Sequence, residues 1–228
     1  MTSQRDLQDP AVANSDSALG ALTRKVERGA DRTLVDEVFD RCLVATVSTV
    51  LDDEPWSVPM LVVRDENRLL LHGSTGAGAL RHIAAGAKVA VSAFILDAIV
   101  VAERQFEHSA NYRSAVVRGA CRALGDDEIA TALDCFTDSI LTGRSRECPP
   151  HSRKELAQTL VLELPITSDN WIAKQRTGPP SSPSAQWTGL LPVVQRFDQP
   201  VSASAAPVPP SVTAFLTERS SPTVAADG

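Results

Sequence analysis

Four small groups of residues carry the side chains that could do chemistry. The first is His72-Gly73-Ser74-Thr75-Gly76, which follows the apolar run Leu69-Leu70-Leu71 and leads into good helix formers from Ala77 to Ala87. Glycines let a backbone approach a ligand, hydroxyls add donors, and the unpaired N–H groups of a first helical turn point toward negative charge. That combination fits an anion or phosphate site, and it equally fits an ordinary Ser/Thr cap on a connecting helix. It is neither a P-loop, since no Gly-Lys-Ser/Thr follows, nor Gly-x-Gly-x-x-Gly. His72 itself, at a strand end beside this turn, can face a ligand or be a satisfied polar residue.

The second group, His108-Ser109-Ala110-Asn111-Tyr112-Arg113-Ser114, crowds hydrogen-bonding side chains between two expected strands and includes the chain's single tyrosine. A solvated loop and a ligand site both fit it. In the third, Lys174 and Arg176 alternate around Gln175, so on an extended segment both face one side, where they can hold a phosphate or carboxylate; otherwise they belong to a solvated basic turn. The fourth is Trp187 beside Gly189, able to stack on a planar ring or to close the bottom of a barrel. No Ser-His-Asp or Cys-His arrangement stands out, and paired acids such as Asp52-Asp53 and Asp126-Asp127 sit in turns. Chemistry here is expected to belong to a bound cofactor.

The elements that must position these groups are mostly strands. Arg32 to Arg41 places Leu34, Val35, Val38 and Phe39 on one helical face, with Thr33 as the expected cap. Leu43 to Val50 is β-branched and alternating, and Trp56 to Val63 follows it, with Pro59 restricting that strand to an edge or a bulge. Asp65-Glu66-Asn67 turns into Arg68 to His72. Lys88 to Ile95 and Ile99 to Phe106 are expected as two strands joined through Leu96-Asp97-Ala98, then Arg113 to Leu124 as another, with Gly119 a bulge or close approach. Asp126 to Leu141 has helical spacing and should cover the sheet, Gln158 to Leu164 supplies a last strand, and Lys174 to Pro180 is expected as a basic turn. Hairpin-length links between six or seven strands predict a mainly β, antiparallel barrel with flanking helices.

Composition narrows the function classes. The chain has 228 residues, 22 Lys plus Arg and 28 Asp plus Glu, for a net charge of -6, which offers no footprint for nucleic acid or an anionic membrane. No apolar window approaches a membrane span and the N-terminus lacks a signal core, so a soluble, cytoplasmic protein is expected. Cys42, Cys121, Cys135 and Cys148 are unpaired in spacing, and Cys148-Pro149-Pro150-His151 lacks the second pair that a structural metal needs, so no metal is expected. Residues 1–19 are polar and expected as a disordered leader, 20–197 as one domain, and 198–228 as a Pro/Ala/Ser-rich tail.

Five separated motifs, LLLHGSTGA, LDAIVVAERQFEHSANYRSAVVRGACRAL, LAQTLVLELP, AKQRTGPP and WTGLLP, resemble in order the pyridoxamine-phosphate-oxidase-like family of flavin-binding split barrels, in particular its nitroimidazole-resistance-protein branch. The match runs from about Arg32 to Pro192. The resemblance implies a split-barrel homodimer with FMN in clefts at the subunit interface, and an oxidoreductase taking hydride from a reduced nicotinamide and passing electrons to a small organic acceptor. It implies that His72, Gly73, Ser74, Thr75, Gly76 and Ala77 approach the phosphate or ribityl chain. Ser57, Val58, Pro59 and Met60 would line the isoalloxazine, and Asn111, Tyr112, Arg113 and Ser114 would border the cleft. Lys174, Arg176 and Trp187 would close it. His72, Tyr112 and Arg113 are the expected catalytic residues. Haem and deazaflavin binders share the barrel, so both are alternative cofactors, and a non-catalytic pocket protein is the alternative function. Two positions depart from the branch: Ala77-Gly78 stand where Ser-Arg is usual, with Arg81 one turn on as a substitute, and Glu107 precedes His108 where a histidine is usual.

Overall fold

The computed structural model describes residues 25–182 and 184–220, so the expected leader at residues 1–19 lies outside the described residues. Helix α1 (Arg32–Arg41) is capped by Asp31, whose carboxylate accepts from the Thr33 N–H at 3.0 Å. The cap is therefore Asp31 and not Thr33, because a carboxylate two positions earlier reaches the orphan amides of the first turn. The next strands are β1 (Val44–Leu51), β2 (Glu54–Leu61), β3 (Val63–Asp65) and β4 (Arg68–Ser74). Asp52 and Asp53 both have positive φ, 53° and 61°, and make a two-residue hairpin between Leu51 and Glu54 that suits the twist of the flanking strands. Strand β2 thus begins at Glu54, two residues before the expected start at Trp56. Pro59 is accommodated because β2 is an edge strand.

A short helix, α2 (Gly78–Ala84), leads into β5 (Lys88–Val101), which is one strand and not two. Leu96-Asp97-Ala98 is a β-bulge within it: Leu96 pairs with Tyr112 and Ala98 with Asn111, leaving Asp97 unpaired. A bulge changes side-chain parity without ending the ladder, which is why the apolar pattern breaks there. Its partner β6 (Ser109–Ala120) begins earlier than expected, so Ser109 to Ser114 belong to a strand. Gly119 pairs in register with Val89, and a methyl there would lie 3.1 Å from Leu164, so it is a point of close approach.

The chain continues through β7 (Arg122–Ala123), α3 (Asp126–Ile140), α4 (Arg153–Gln158), β8 (Thr159–Pro165), β9 (Trp171–Arg176), β10 (Gly189–Pro192) and α5 (Pro210–Ser220). Lys174 to Arg176 are therefore strand, and the turn begins after them. Ten strands form two antiparallel sheets among the described residues, one six-stranded in the order β2-β1-β5-β6-β9 with β10 on β5, the other β3-β4-β8-β7. The count exceeds six or seven, although β5 replaces two expected strands, because β9 and β10 are strands as well and the chain changes sheet at two buried corners, Val62 and Cys121, which cut off the short β3 and β7. Burial pushes the Cys121 thiol up to about 12, which keeps it an inert filler at its corner.

The two sheets pack on one core. Val47, Val91, Val117 and Ala173 from the larger sheet meet Leu69, Leu71, Leu162 and Leu164 from the smaller, and α1 closes one end with Val35 and Val38. The opposite face of the smaller sheet, through Leu70 and Val161, packs on Ile129, Ala132 and Phe136 of α3. Strand β4 is thus buried on both faces, and that is why Leu69, Leu70 and Leu71 read as a run rather than an alternation. Residues 198–209 carry no regular structure. Helix α5 is pinned at its start, where Ser211 donates from its N–H and Oγ to Glu147 at 3.0 and 2.6 Å. No helix among the described residues is long and apolar enough to cross a membrane.

Candidate outer-sheet ligand face

The larger sheet has a covered face and an open one. Residues directly opposite in an antiparallel ladder share a face, so register assigns the open side. Thr46 faces Ser92 and Pro59, Ser48 faces Ala90 and Ser57, Phe94 faces Ser114, and Ser114 faces Lys174. Val44 and Phe94 each lie two residues beyond the Thr46–Ser92 pair, and Leu61 is opposite Val44. A row therefore runs across the sheet from Leu61 through Val44, Phe94 and Ser114 to Lys174. Phe94 is 68% exposed, Val44 54% and Leu61 43%, while Ser48 and Ser57 meet hydroxyl to hydroxyl at 2.8 Å. This is a flat apolar surface with hydroxyls along it and a cation at one side.

Of the nominated residues, Ser57, Pro59, Tyr112, Ser114, Lys174 and Arg176 share this face by register. Val58 and Met60 alternate to the other side of β2, where Met60 packs against the core. Arg176 is opposite Tyr112, but its guanidinium turns to donate to Asn111 Oδ1, and Asn111, 5% exposed, donates its amide to the Gly178 carbonyl at 3.0 Å. No carboxylate among the described residues lies within ion-pair distance of Lys174 or Arg176. The Arg176 guanidinium is held in place by Asn111, and neither charge is compensated by a carboxylate among the described residues.

Arg113 alternates to the covered side. Its Nε donates to Asp97 at 3.1 Å, and Nη1 donates to Glu37 on α1. Hydrogen bonding to Asp97, then the charges of Asp97 and Glu37, hold the guanidinium above its ordinary value. The geometry gives Arg113 the part of a strut that ties α1 to the β5 bulge.

The His72 group lies on the smaller sheet. The His72 ring meets Phe136 of α3 edge-on, with centroids 4.3 Å apart, and its Nδ1 is buried without a partner. Burial pushes its pKa below 6.5. Below pH 6.5 the unfolded chain therefore takes up this proton first, so the contribution is fully present above 6.5 and is lost as pH falls through the folded value. Urea unfolding followed from pH 8 to 5 should show stability falling with pH across this window, and His72→Gln should flatten that slope.

The turn after His72 uses its own amides. Thr75 N–H donates to the Gln158 carbonyl at 3.0 Å, Gly76 N–H to Ser74 Oγ at 3.1 Å, and Ala77 N–H to the Ser74 carbonyl at 2.9 Å. Gly73 is explained by packing, since a methyl there would stand 2.5 Å from Leu80 Cδ1. Arg81 is exposed on α2, and around Gly78 a methyl would meet nothing within 4 Å. The first group and the outer-sheet face thus sit on different sheets.

Trp187 is 68% exposed in the segment before β10. That segment is tied to the loop after β5 by Ser184 to Glu103 at 2.6 Å and Ser182 to Glu107 at 2.7 Å. Glu107 is thereby turned to a serine. His151 meets Asp134 at 3.1 Å, and among the described residues no group of three or more His, Cys, Asp or Glu is arranged for a metal ion. Sequence reasoning missed Phe94, Ser92 and Ser48. The signal was available: Lys88, Ala90, Ser92 and Phe94 share one parity, and an aromatic on the polar parity of a strand marks a covered surface.

A family model described as pyridoxamine 5'-phosphate oxidase matches residues 31–171. Among solved structures, the FAD and haem binding protein from Mycobacterium smegmatis is 37% identical with a TM-score of 0.79, over 82% of this chain and 96% of that one. The flavocytochrome Anf3 from Azotobacter vinelandii is 22% identical with a TM-score of 0.78, over 85% and 94%, a likeness of fold. A Bacteroides thetaiotaomicron protein assigned to 5-nitroimidazole antibiotic resistance is 18% identical, TM-score 0.53, over 63% and 83%. No curated protein matches the chain.

Proposed function

The chain belongs to the pyridoxamine 5'-phosphate oxidase family, and from that premise we propose that it is a flavin-dependent oxidoreductase working as a homodimer, with the flavin against the outer face of the larger sheet. The observation that carries this reading is the row from Leu61 to Lys174, which fits a flat apolar ring with an anionic end. A bound flavin supplies hydride and single-electron transfer. Phe94 and Val44 offer the apolar bed, and Ser48, Ser57 and Ser114 offer hydrogen bonds at its edges. Lys174 and Arg176 supply positive charge, which stabilises an anionic phosphate or a reduced ring. Asn111 keeps Arg176 aimed.

The motifs of this chain resemble those of FMN binders, whereas the relative at 37% identity is named for FAD and haem, and this favours FAD as the flavin and haem as a second group. Deazaflavin is the remaining alternative on this barrel. A reduced nicotinamide is the proposed donor and a small organic molecule the acceptor. One observation favours a non-catalytic pocket protein instead: the amides of Gly76 and Ala77 are already paired within their own turn, and that of Thr75 with the Gln158 carbonyl. Absorbance spectra of the purified protein with added FMN, FAD or deazaflavin, then NADH and NADPH, separate the readings. Flavin bands that bleach with a nicotinamide support the oxidoreductase; a protein that takes up flavin but never bleaches supports the pocket protein; failure to take up any flavin overturns both.

A further inference from the structure

After β10 the chain leaves the larger sheet, runs through solvent and returns to the fold as α5. Residues 193–208 are all exposed, Val201 by 97%, and a few contacts hold the whole segment. At its start the Val193 N–H donates to the Asp97 carbonyl at 2.9 Å. At the head of α5, Ser211 is held by Glu147. At the far end Arg219 donates to the Arg41 and Asp40 carbonyls at 3.3 and 3.4 Å. These are the last carbonyls of α1, left unpaired by their own helix, and a cation suits that negative end. Phe197 meets Phe215 edge-on, with centroids 4.7 Å apart, and the Arg219 guanidinium lies 5.5 Å from the Phe215 ring. From 210 to 219 only Ser211 is buried. An eleven-residue helix is marginal alone, so α5 stays helical only while these contacts hold.

The first and last of these attachments reach the same stretch of β5. Asp97 is the unpaired bulge residue, and its carboxylate accepts from Arg113 Nε, next to Ser114, which faces Phe94. Arg41 precedes Cys42, whose thiol donates to the Phe94 carbonyl at 3.4 Å. Helix α1 also holds Arg113 through Glu37. Phe94, at the centre of the outer-sheet row, and Asp97, three residues on, are thus braced from two sides by contacts that end on the returning segment.

We propose that Val193 to Ser220 is a strap whose docking is coupled to ligand binding on the outer face of the larger sheet. Docked, it braces Phe94 to Asp97; released, it lets that stretch relax and the face hold its ligand less well. The inference rests on the flavin reading of that face proposed above. Coupling is reciprocal, so a flavin that prefers the braced face must hold the strap docked by the same factor. Its test is hydrogen exchange of the full chain, read by mass spectrometry in the peptide from Thr213 to Arg219, whose helical amides exchange on release. Saturating FAD or FMN should slow that exchange by about five- to 150-fold. Arg219→Ala should speed it about tenfold or more, the loss of one charge-assisted contact, and Arg219→Lys should speed it less. In Glu147→Ala/Arg219→Ala, which frees the strap, flavin affinity should fall by the factor by which flavin slowed exchange in wild type. If wild type takes up no flavin, the proposed function fails and the coupling with it. If flavin binds and α5 exchanges at the same rate with and without it, the flavin reading stands and the strap is uncoupled. An affinity unchanged in the double variant while α5 exchanges freely overturns the coupling as well.

Discussion

Arg176→Ala should weaken flavin binding by about ten- to a hundredfold, read as fluorescence quenching of titrated FAD and FMN, while the unfolding midpoint stays near that of wild type. The size follows from losing one charge-assisted bond of about 1.5–3 kcal/mol. The fold should survive because Arg176 closes no ion pair among the described residues; its guanidinium leans on a neutral amide, Asn111 Oδ1. Asn111→Ala should reproduce most of the affinity loss, since a guanidinium freed from its rest loses the orientation that a fixed anion needs. It should also cost stability, because the Gly178 carbonyl at 3.0 Å loses its buried donor. Arg176→Lys should retain part of the affinity as a point charge without the fork. An affinity unchanged in Arg176→Ala takes β9 out of the site.

What the sequence made legible was the set of elements, and what it hid was parity. Strands β1 and β2 and helices α1 and α3 follow from alternation and helical spacing, because each has one face on an apolar core, while β4, buried on both faces, follows as an apolar run. The fold class follows from their hairpin links. The β5 bulge defeated the same method: one unpaired residue, Asp97, shifts every side chain after it to the other side, and the pattern then resembles two strands with a turn between. The buried corners at Val62 and Cys121 are equally silent, since a residue that changes sheet is as apolar as one that does not.

The candidate site was legible in residue type and less so in placement. Arg113 and Arg176 are both arginines in a polar context, yet register sends one to Asp97 and Glu37 and leaves the other without a carboxylate. Nothing local distinguishes them, because Glu37 lies on α1 and Asp97 on the bulge. The glycines of the His72 turn invite a ligand reading, but packing alone already accounts for Gly73, since a methyl there would stand 2.5 Å from Leu80. Phe94 was legible only once its parity was known.

Phe94→Asp should convert a dimer into a monomer in light scattering and abolish flavin binding with it, while the monomer stays folded by circular dichroism. Phe94 is 68% exposed at the centre of the row from Leu61 to Lys174, and its ring makes no aromatic pair within the chain among the described residues. An aspartate there therefore costs the isolated chain little. In an interface the same carboxylate is desolvated without a partner, a penalty of roughly 2–5 kcal/mol. A standard interface of about 800 Å² per partner needs an apolar centre of this kind, and a single unpaired charge at its middle is enough to open it. Phe94→Leu, which keeps an apolar side chain, should remain dimeric. Because the proposed flavin bed is this same surface, loss of the dimer and loss of flavin should coincide in Phe94→Asp and neither should occur in Phe94→Leu. A Phe94→Asp variant that stays dimeric moves the interface elsewhere, and one that turns monomeric but keeps its flavin places the ring away from the row.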